Sequence, residues 1–184
     1  GASVDDEVDL IQPGRNYGWP HVAGFNDDHG YVYANWSASS PTPCATLKFD
    51  NLNPPPTVPI TKESSWQAPD FVAPLATFFT VPAGYNVRAD GNATIAPGSI
   101  EVYTATAIPG WRQSLLVTGM RTGTVYRVML NGDGTAATGT PLEYFRRANR
   151  YRDTAVSADG GRIYVVTDSF GTVADERGQR TDVL

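Results

Sequence analysis

Cysteine is almost missing from this chain: there is one, Cys44, in 184 residues. A single thiol cannot close an intramolecular disulfide, so the fold does not depend on one and the redox compartment stays open. Cys44 follows Pro43 and reads as an inert loop or core residue. Positive charge is scarce too, with 14 Lys and Arg against 19 Asp and Glu and a formal charge of −5. That deficit argues against nucleic acid as the main partner, because binding it requires a basic surface that neutralises phosphates. No apolar run approaches the roughly 20 residues a membrane-spanning helix needs. Helical periodicity beyond about two turns, an internal repeat, a phosphate-binding glycine loop and a G-x-S-x-G nucleophile elbow are all absent from the sequence. His21 and His29 are the only histidines, and neither lies in a metal-ligand motif. Each reads as a surface or loop residue rather than a catalytic base.

What the chain does have is turns and alternation. With 18 Gly, 14 Pro and 41% hydrophobic residues it suits many short elements better than long helices. SIEVYTA (99–105), SLLVTG (114–119), TVYRVML (124–130) and RIYVVTD (162–168) read as strands, rich in β-branched and aromatic residues. NGDG (131–134) and ADGG (158–161) are tight-turn sequences joining neighbouring strands. The spacing is that of four-stranded meanders, as in propeller blades or a sandwich. Residues 1–98 differ: EVDLI (7–11) and FVAPLATFFTV (71–81) are strand-like, separated by a long stretch dense in Asn, Asp, Pro, Tyr and Trp. Loops of that length are usually functional or held by something other than a core. Within it NLNPPPTVPI (51–60) favours extended polyproline geometry and cannot join a central strand.

Two clusters could carry chemistry. VDDEVDL (4–10), NYGWP (16–20), GFNDDHGY (24–31) and TKES (61–64) supply carboxylates and turn carbonyls, the oxygen ligands a hard cation such as calcium requires, although their spacing is not that of an EF-hand. The same residues would equally serve as helix caps, turn formers and a solvated acidic face. The second cluster is RRANRYRDTAVSADGGRIYVVTDS (146–169), where an acidic chain places Arg146, Arg147, Arg150 and Arg152 close together. Crowded guanidinium groups repel unless anions lie between them. Either they clamp a carboxylate or phosphate ligand, or Arg150 or Arg152 pairs with Asp153, Asp159 or Asp168. Arg121, in TGMRTG (118–123), sits in a loop between two strands. Arg150 and Arg152 are expected in a similar loop, so that all three meet at one end of a sheet. N-W-S (35–37) and N-A-T (92–94) match glycosylation acceptors, a short and unspecific pattern.

In the same order along nearly the whole chain, DDEVDLIQPGRNYGWPHVAGFNDDHGYVYANWSA, VPITKESSW, LLVTGMRTGTVYRV and NRYRDTAVSADGGRIYVVTDSFG resemble the C-terminal half of the soluble quinoprotein, PQQ-dependent sugar dehydrogenases. NYGWP and NRYRD make the likeness specific. It implies an all-β fold, the C-terminal part of a six-bladed β-propeller of four-stranded antiparallel sheets. Residues 1–98 would form a loop-rich calcium-binding part and residues 99–184 blade-like strands. The activity implied is oxidation of an aldose at C1 to a lactone, with pyrroloquinoline quinone (PQQ) and calcium as cofactors and an external electron acceptor. PQQ carries three carboxylates and an ortho-quinone, which call for cationic partners and a Lewis acid.

The resemblance also implies residue roles. Arg150 and Arg152 bracket the quinone and its carboxylates and are the catalytic pair. Arg121 stands where the family usually has a lysine, and Thr94 aligns with a cofactor-contacting threonine. Gly1 and Ala2 align with a Gly-Pro pair whose carbonyls bridge calcium to PQQ. A second, structural calcium maps to Glu7, Tyr17 (through its carbonyl), Asp27 and Glu63. The family's histidine general base belongs to the N-terminal half and is absent here, and RADGNAT (88–94) is shorter and more polar than the family's aromatic sugar-binding loop. The chain begins at Gly1-Ala2 without an initiator Met and stops at TDVL, before the strand that would complete the last blade. The expectation is therefore a processed or cut product, inactive without an N-terminal half supplied by a second chain or a missing segment. A periplasmic or secreted location follows from the resemblance alone. The alternatives are a calcium-stabilised propeller relative that binds carbohydrate or protein without redox chemistry, and an oligomer such as a homodimer that covers open edges.

Overall fold

Turn-rich sequence yields short elements, and the computed structural model describes them over residues 3–168. In chain order they are β1 (Asp6–Val8), β2 (Tyr33–Ala34), β3 (Ile60–Thr61), β4 (Ala76–Phe78), α1 (Val87–Asp90), β5 (Pro97–Tyr103), β6 (Ser114–Gly119), β7 (Thr124–Met129), β8 (Leu142–Tyr144), β9 (Arg150–Val156) and β10 (Ile163–Asp168). The chain divides into two compact units, residues 1–94 and 95–184. Among the described residues no helix is long and apolar enough to cross a membrane.

The first unit is mostly loop. β1 pairs antiparallel with β4, Glu7 opposite Thr77, and β2 pairs antiparallel with β3. Both strand-like pieces expected here are shorter than their sequence patterns: EVDLI contributes only to Asp6–Val8, and FVAPLATFFTV only Ala76–Phe78. Of the proline-rich stretch only Ile60 enters a strand, paired in a two-stranded ribbon, while Pro59, which has no N–H to offer, accepts the Asn35 amide on its carbonyl at 2.9 Å. The one-turn helix α1 opens at Asn86, whose side chain accepts from the amides of Arg88 and Ala89, while Asp90 accepts from the Asn86 amide. Val4, Val81 and Val87 make a small apolar core beside Tyr31, Tyr85 and Ala93.

In the second unit, β5-β6-β7-β8 form a four-stranded antiparallel sheet in sequence order, a meander. β6 and all but the last residue of β7 are buried, as befits central strands, whereas β5 and β8 expose alternate or successive residues. NGDG and ADGG form turns as expected, with the Asn131 side chain accepting from the Thr135 and Ala136 amides in the first and Asp159 from the Gly161 amide in the second. Tyr103, Leu116, Val125 and Tyr151 are the core. Arg127, buried on β7, is satisfied by the Ser114 hydroxyl at 2.8 Å and the Gly110 carbonyl and lies over the Trp111 ring.

β9 pairs antiparallel with β10, and the register slips between Val166 and Thr167. Val166 faces Asp153 and Thr167 faces Tyr151, so Arg152 is the extra residue of a β-bulge. The burial pattern records it: Tyr151 and Thr154 are buried, with Arg152 and Asp153 exposed in succession between them. The expectation that Arg150 and Arg152 lie in a loop is thereby corrected. Both are on β9, a strand that its broken alternation hid and that pairs with β10.

Candidate functional site

Carboxylates gather in the first unit around residues 23–28. Glu63 is fully buried, its two oxygens accepting from the amides of Ala23 (2.8 Å) and Asp28 (3.0 Å). Glu7, on β1, accepts from the Gly24 amide at 3.0 Å. Gly24 permits that approach: it has φ +74°, and a Cβ there would lie 2.6 Å from the Asp5 Cβ and 2.9 Å from Thr77. Burial pushes the Asp5 carboxyl up to about 7, helped by the like charges of Asp27 and Glu63. It pushes Glu63 up to about 7 as well, against the opposing pull of its backbone hydrogen bonds. Glu7 is raised by burial and then by Asp9. Asp5, Asp27 and Glu63 lie close enough to feel one another's charge, and Asp5 is a member that the sequence showed only as part of the acidic doublet in VDDE. The Tyr17 hydroxyl donates to the Leu10 carbonyl (3.0 Å) and accepts from the Gln12 amide (2.6 Å), which fixes its ring and leaves the expected role of its carbonyl untouched. Crowded carboxylate oxygens are the ligand type a hard cation requires. Among the described residues, however, no group of three or more His, Cys, Asp or Glu is arranged to hold a metal. Gly1 and Ala2 lie outside the described residues.

Thr94 closes the first unit, its hydroxyl donating to Asp6 of β1 at 2.6 Å. His21 stacks on Trp66 at 5.3 Å, and His29 lies 3.4 Å from Asp27 and 3.1 Å from the Val81 carbonyl, so both are loop residues with structural partners.

The second unit holds the arginines. Arg150 is directly opposite Asp168 across the β9–β10 ladder and donates to it through Nε (2.8 Å) and Nη2 (3.3 Å). Arg152, turned by the bulge, donates through Nε to the other oxygen of the same carboxylate at 2.5 Å, and through Nη1 to Met120 Sδ at 2.8 Å. Met120 and Arg121 are on the β6–β7 turn, tied by their amides to the Ala96 and Ile95 carbonyls. Arg152 therefore lies beside the turn that carries Arg121. Arg146 and Arg147 stay outside this group: Arg146 is 3.9 Å from Glu143, and Arg147 donates to the Arg146 carbonyl. Asp168, one of three carboxylates the sequence offered, is the one that joins the pair. Partly exposed guanidinium groups held side by side are an arrangement that receives polycarboxylate anions.

Comparison with known proteins places the chain in a lineage. The model of the family described as glucose/sorbosone dehydrogenase matches residues 81–174. The chain is 39% identical over 194 aligned positions to quinoprotein glucose dehydrogenase B of Acinetobacter calcoaceticus, covering all of this chain and 41% of that protein. An uncharacterised protein of Synechocystis sp. is 26% identical over 91% of the chain and 30% of its own length. Among solved structures, a glucose dehydrogenase superposes with a TM-score of 0.55 at 22% identity, over 91% of this chain and 36% of that one. The soluble aldose sugar dehydrogenase of Escherichia coli in its apo form gives 0.51 at 21%, again over 91% and 36%. The chain spans about two fifths of the first curated relative it matches. It belongs to the glucose/sorbosone dehydrogenase family.

Proposed function

We propose that this chain is the C-terminal portion of a PQQ-dependent sugar dehydrogenase with a six-bladed propeller fold, oxidising an aldose at C1 to the lactone. Identity of 39% along the whole chain to a quinoprotein glucose dehydrogenase carries this reading. The paired guanidiniums of Arg150 and Arg152 support it physically, since they offer charge-assisted donors to an anionic cofactor. When bound, PQQ supplies a two-electron quinone acceptor for the hydride leaving the sugar. The work of this chain would be binding and electrostatics: Arg150 and Arg152 would hold oxygens of the bound cofactor, and their charge would favour negative charge there. By the family resemblance, Thr94 and Arg121 would each add a cofactor contact. By the same resemblance, Glu7, Asp27, Glu63 and the Tyr17 carbonyl would be the ligands of a structural calcium, and the Gly1 and Ala2 carbonyls those of a second one, each supplying a hard cation with oxygen ligands. The base that takes the C1 hydroxyl proton comes from an N-terminal half, in a periplasmic or secreted setting with an external electron acceptor.

Full-length protein reconstituted with PQQ and calcium should reduce a redox dye when given an aldose, and Arg150→Ala should lower turnover by about a hundredfold or more. Undiminished turnover at saturating PQQ would remove Arg150 from the site. A second reading, a propeller relative that binds carbohydrate without redox chemistry, is favoured by one observation: both guanidiniums already share Asp168. The quinone absorbance separates the two, because that relative takes up no PQQ.

A further inference from the structure

Two like-charged side chains two residues apart on a strand repel each other and carry long, flexible stems, so a pair of arginines does not by itself present a defined surface to an anion. Here one carboxylate addresses both. Asp168 Oδ1 takes Arg150 Nε, and Asp168 Oδ2 takes Arg152 Nε together with the longer bond from Arg150 Nη2. The arrangement depends on register: Asp168 is the direct cross-strand partner of Arg150, and the bulge at Arg152 brings the second guanidinium to the same carboxylate. The Nε edges face Asp168, and Arg152 is further pinned by Met120 on its Nη1. Two positive charges and one negative leave the trio a net single positive charge.

Resting on the cofactor reading above, we propose that Asp168 is the positioning residue of the cationic pair. It engages the Nε edges, fixes the two guanidinium planes before any ligand arrives, and lowers their mutual repulsion, so that a polycarboxylate quinone meets preorganised donors. A preset orientation reduces the ordering that binding would otherwise require. Asp168 is not assigned contact with the cofactor; it acts through Arg150 and Arg152.

The test uses the full-length protein as wild type, Asp168→Asn and Asp168→Glu. Without cofactor, the arginine Nε–H resonances report the lock: those of Arg150 and Arg152 should be shifted and slow to exchange in the wild type, lost in Asp168→Asn, and partly restored in Asp168→Glu. With calcium present, titration of PQQ followed by quinone absorbance should show binding roughly tenfold weaker in Asp168→Asn, the order of one charge-assisted hydrogen bond. Asp168→Glu should fall between the two, a rescue that a purely structural role would not produce. If Asp168→Asn binds PQQ as tightly as the wild type, or more tightly, Asp168 competes with the ligand and the inference is overturned. Unchanged Nε–H signals in Asp168→Asn overturn it equally, even if that variant is less stable. If the wild type shows the locked signals yet takes up no PQQ, the cofactor reading has failed and positioning for PQQ fails with it, whereas the Asp168 lock stands.

Discussion

Single residues in this chain matter where they satisfy more than one buried group. Tyr103 is fully buried, donates to the Gly160 carbonyl at 2.6 Å and accepts from the Ile108 amide at 2.9 Å, so its hydroxyl ties the β9–β10 turn and the segment after β5 to one point. Tyr103→Phe keeps the ring and strands two backbone groups. It should reduce stability by about 1–3 kcal/mol, seen as a lower urea midpoint at unchanged slope. A midpoint equal to the wild type would mean that water or a shifted loop replaces the hydroxyl. Asp168 follows the same logic at the surface, where one carboxylate serves two arginines and its value lies in orientation more than in stability.

Elements depend on close approaches that only certain residues permit. The β6–β7 turn accepts the Arg147 amide on the Gly123 carbonyl at 2.8 Å, which steers residues 147–149 into β9. Gly123 has φ +60°, and a Cβ there would lie 2.1 Å from the Arg147 carbonyl oxygen and 2.7 Å from that of Asn149. Gly123→Ala should therefore destabilise the protein by roughly 2 kcal/mol or more, from left-handed strain and backbone overlap together, and displace the start of the arginine strand. Gly132→Ala is the control: its Cβ would meet nothing within 4 Å, and a change below about 0.5 kcal/mol is expected. Thermal melting of the two variants checks the pair, and equal melting temperatures would refute the argument.

At the scale of the whole molecule, the acidic first unit sets how stability responds to pH and cations. Asp5 and Glu63 rise from ordinary values of 3.8 and 4.5 to about 7, chiefly through burial. The folded state thus holds protons that the unfolded chain has released between about pH 4 and 7. Their contribution to stability is full below pH 4 and is lost as pH climbs through 7. A bound divalent cation favours the ionised carboxylates and opposes that trend. In EDTA the melting temperature should fall between pH 5 and pH 8, and millimolar calcium should restore most of the loss at pH 8. Coincident curves with and without calcium would argue against a cation at Glu7, Asp27 and Glu63.

Much of the second unit was legible in the sequence because its signals are local. β6 coincides with SLLVTG, while β5, β7 and β10 deviate from their sequence segments by no more than two residues at either end. The acidic cluster, too, was visible as composition. β8 escaped notice because three residues, Leu142–Tyr144, are too few to show a period. β9 escaped because the bulge at Arg152 breaks the alternation on which strand recognition rests. Composition and short-range pattern determined that this is an all-β, turn-rich chain with an acidic region and a local arginine cluster, since turns and alternation act over a few residues. Tertiary structure decided that Asp168, and not Asp153 or Asp159, joins Arg150 and Arg152, because that choice is made by the register between two strands, and register is a property of the pair.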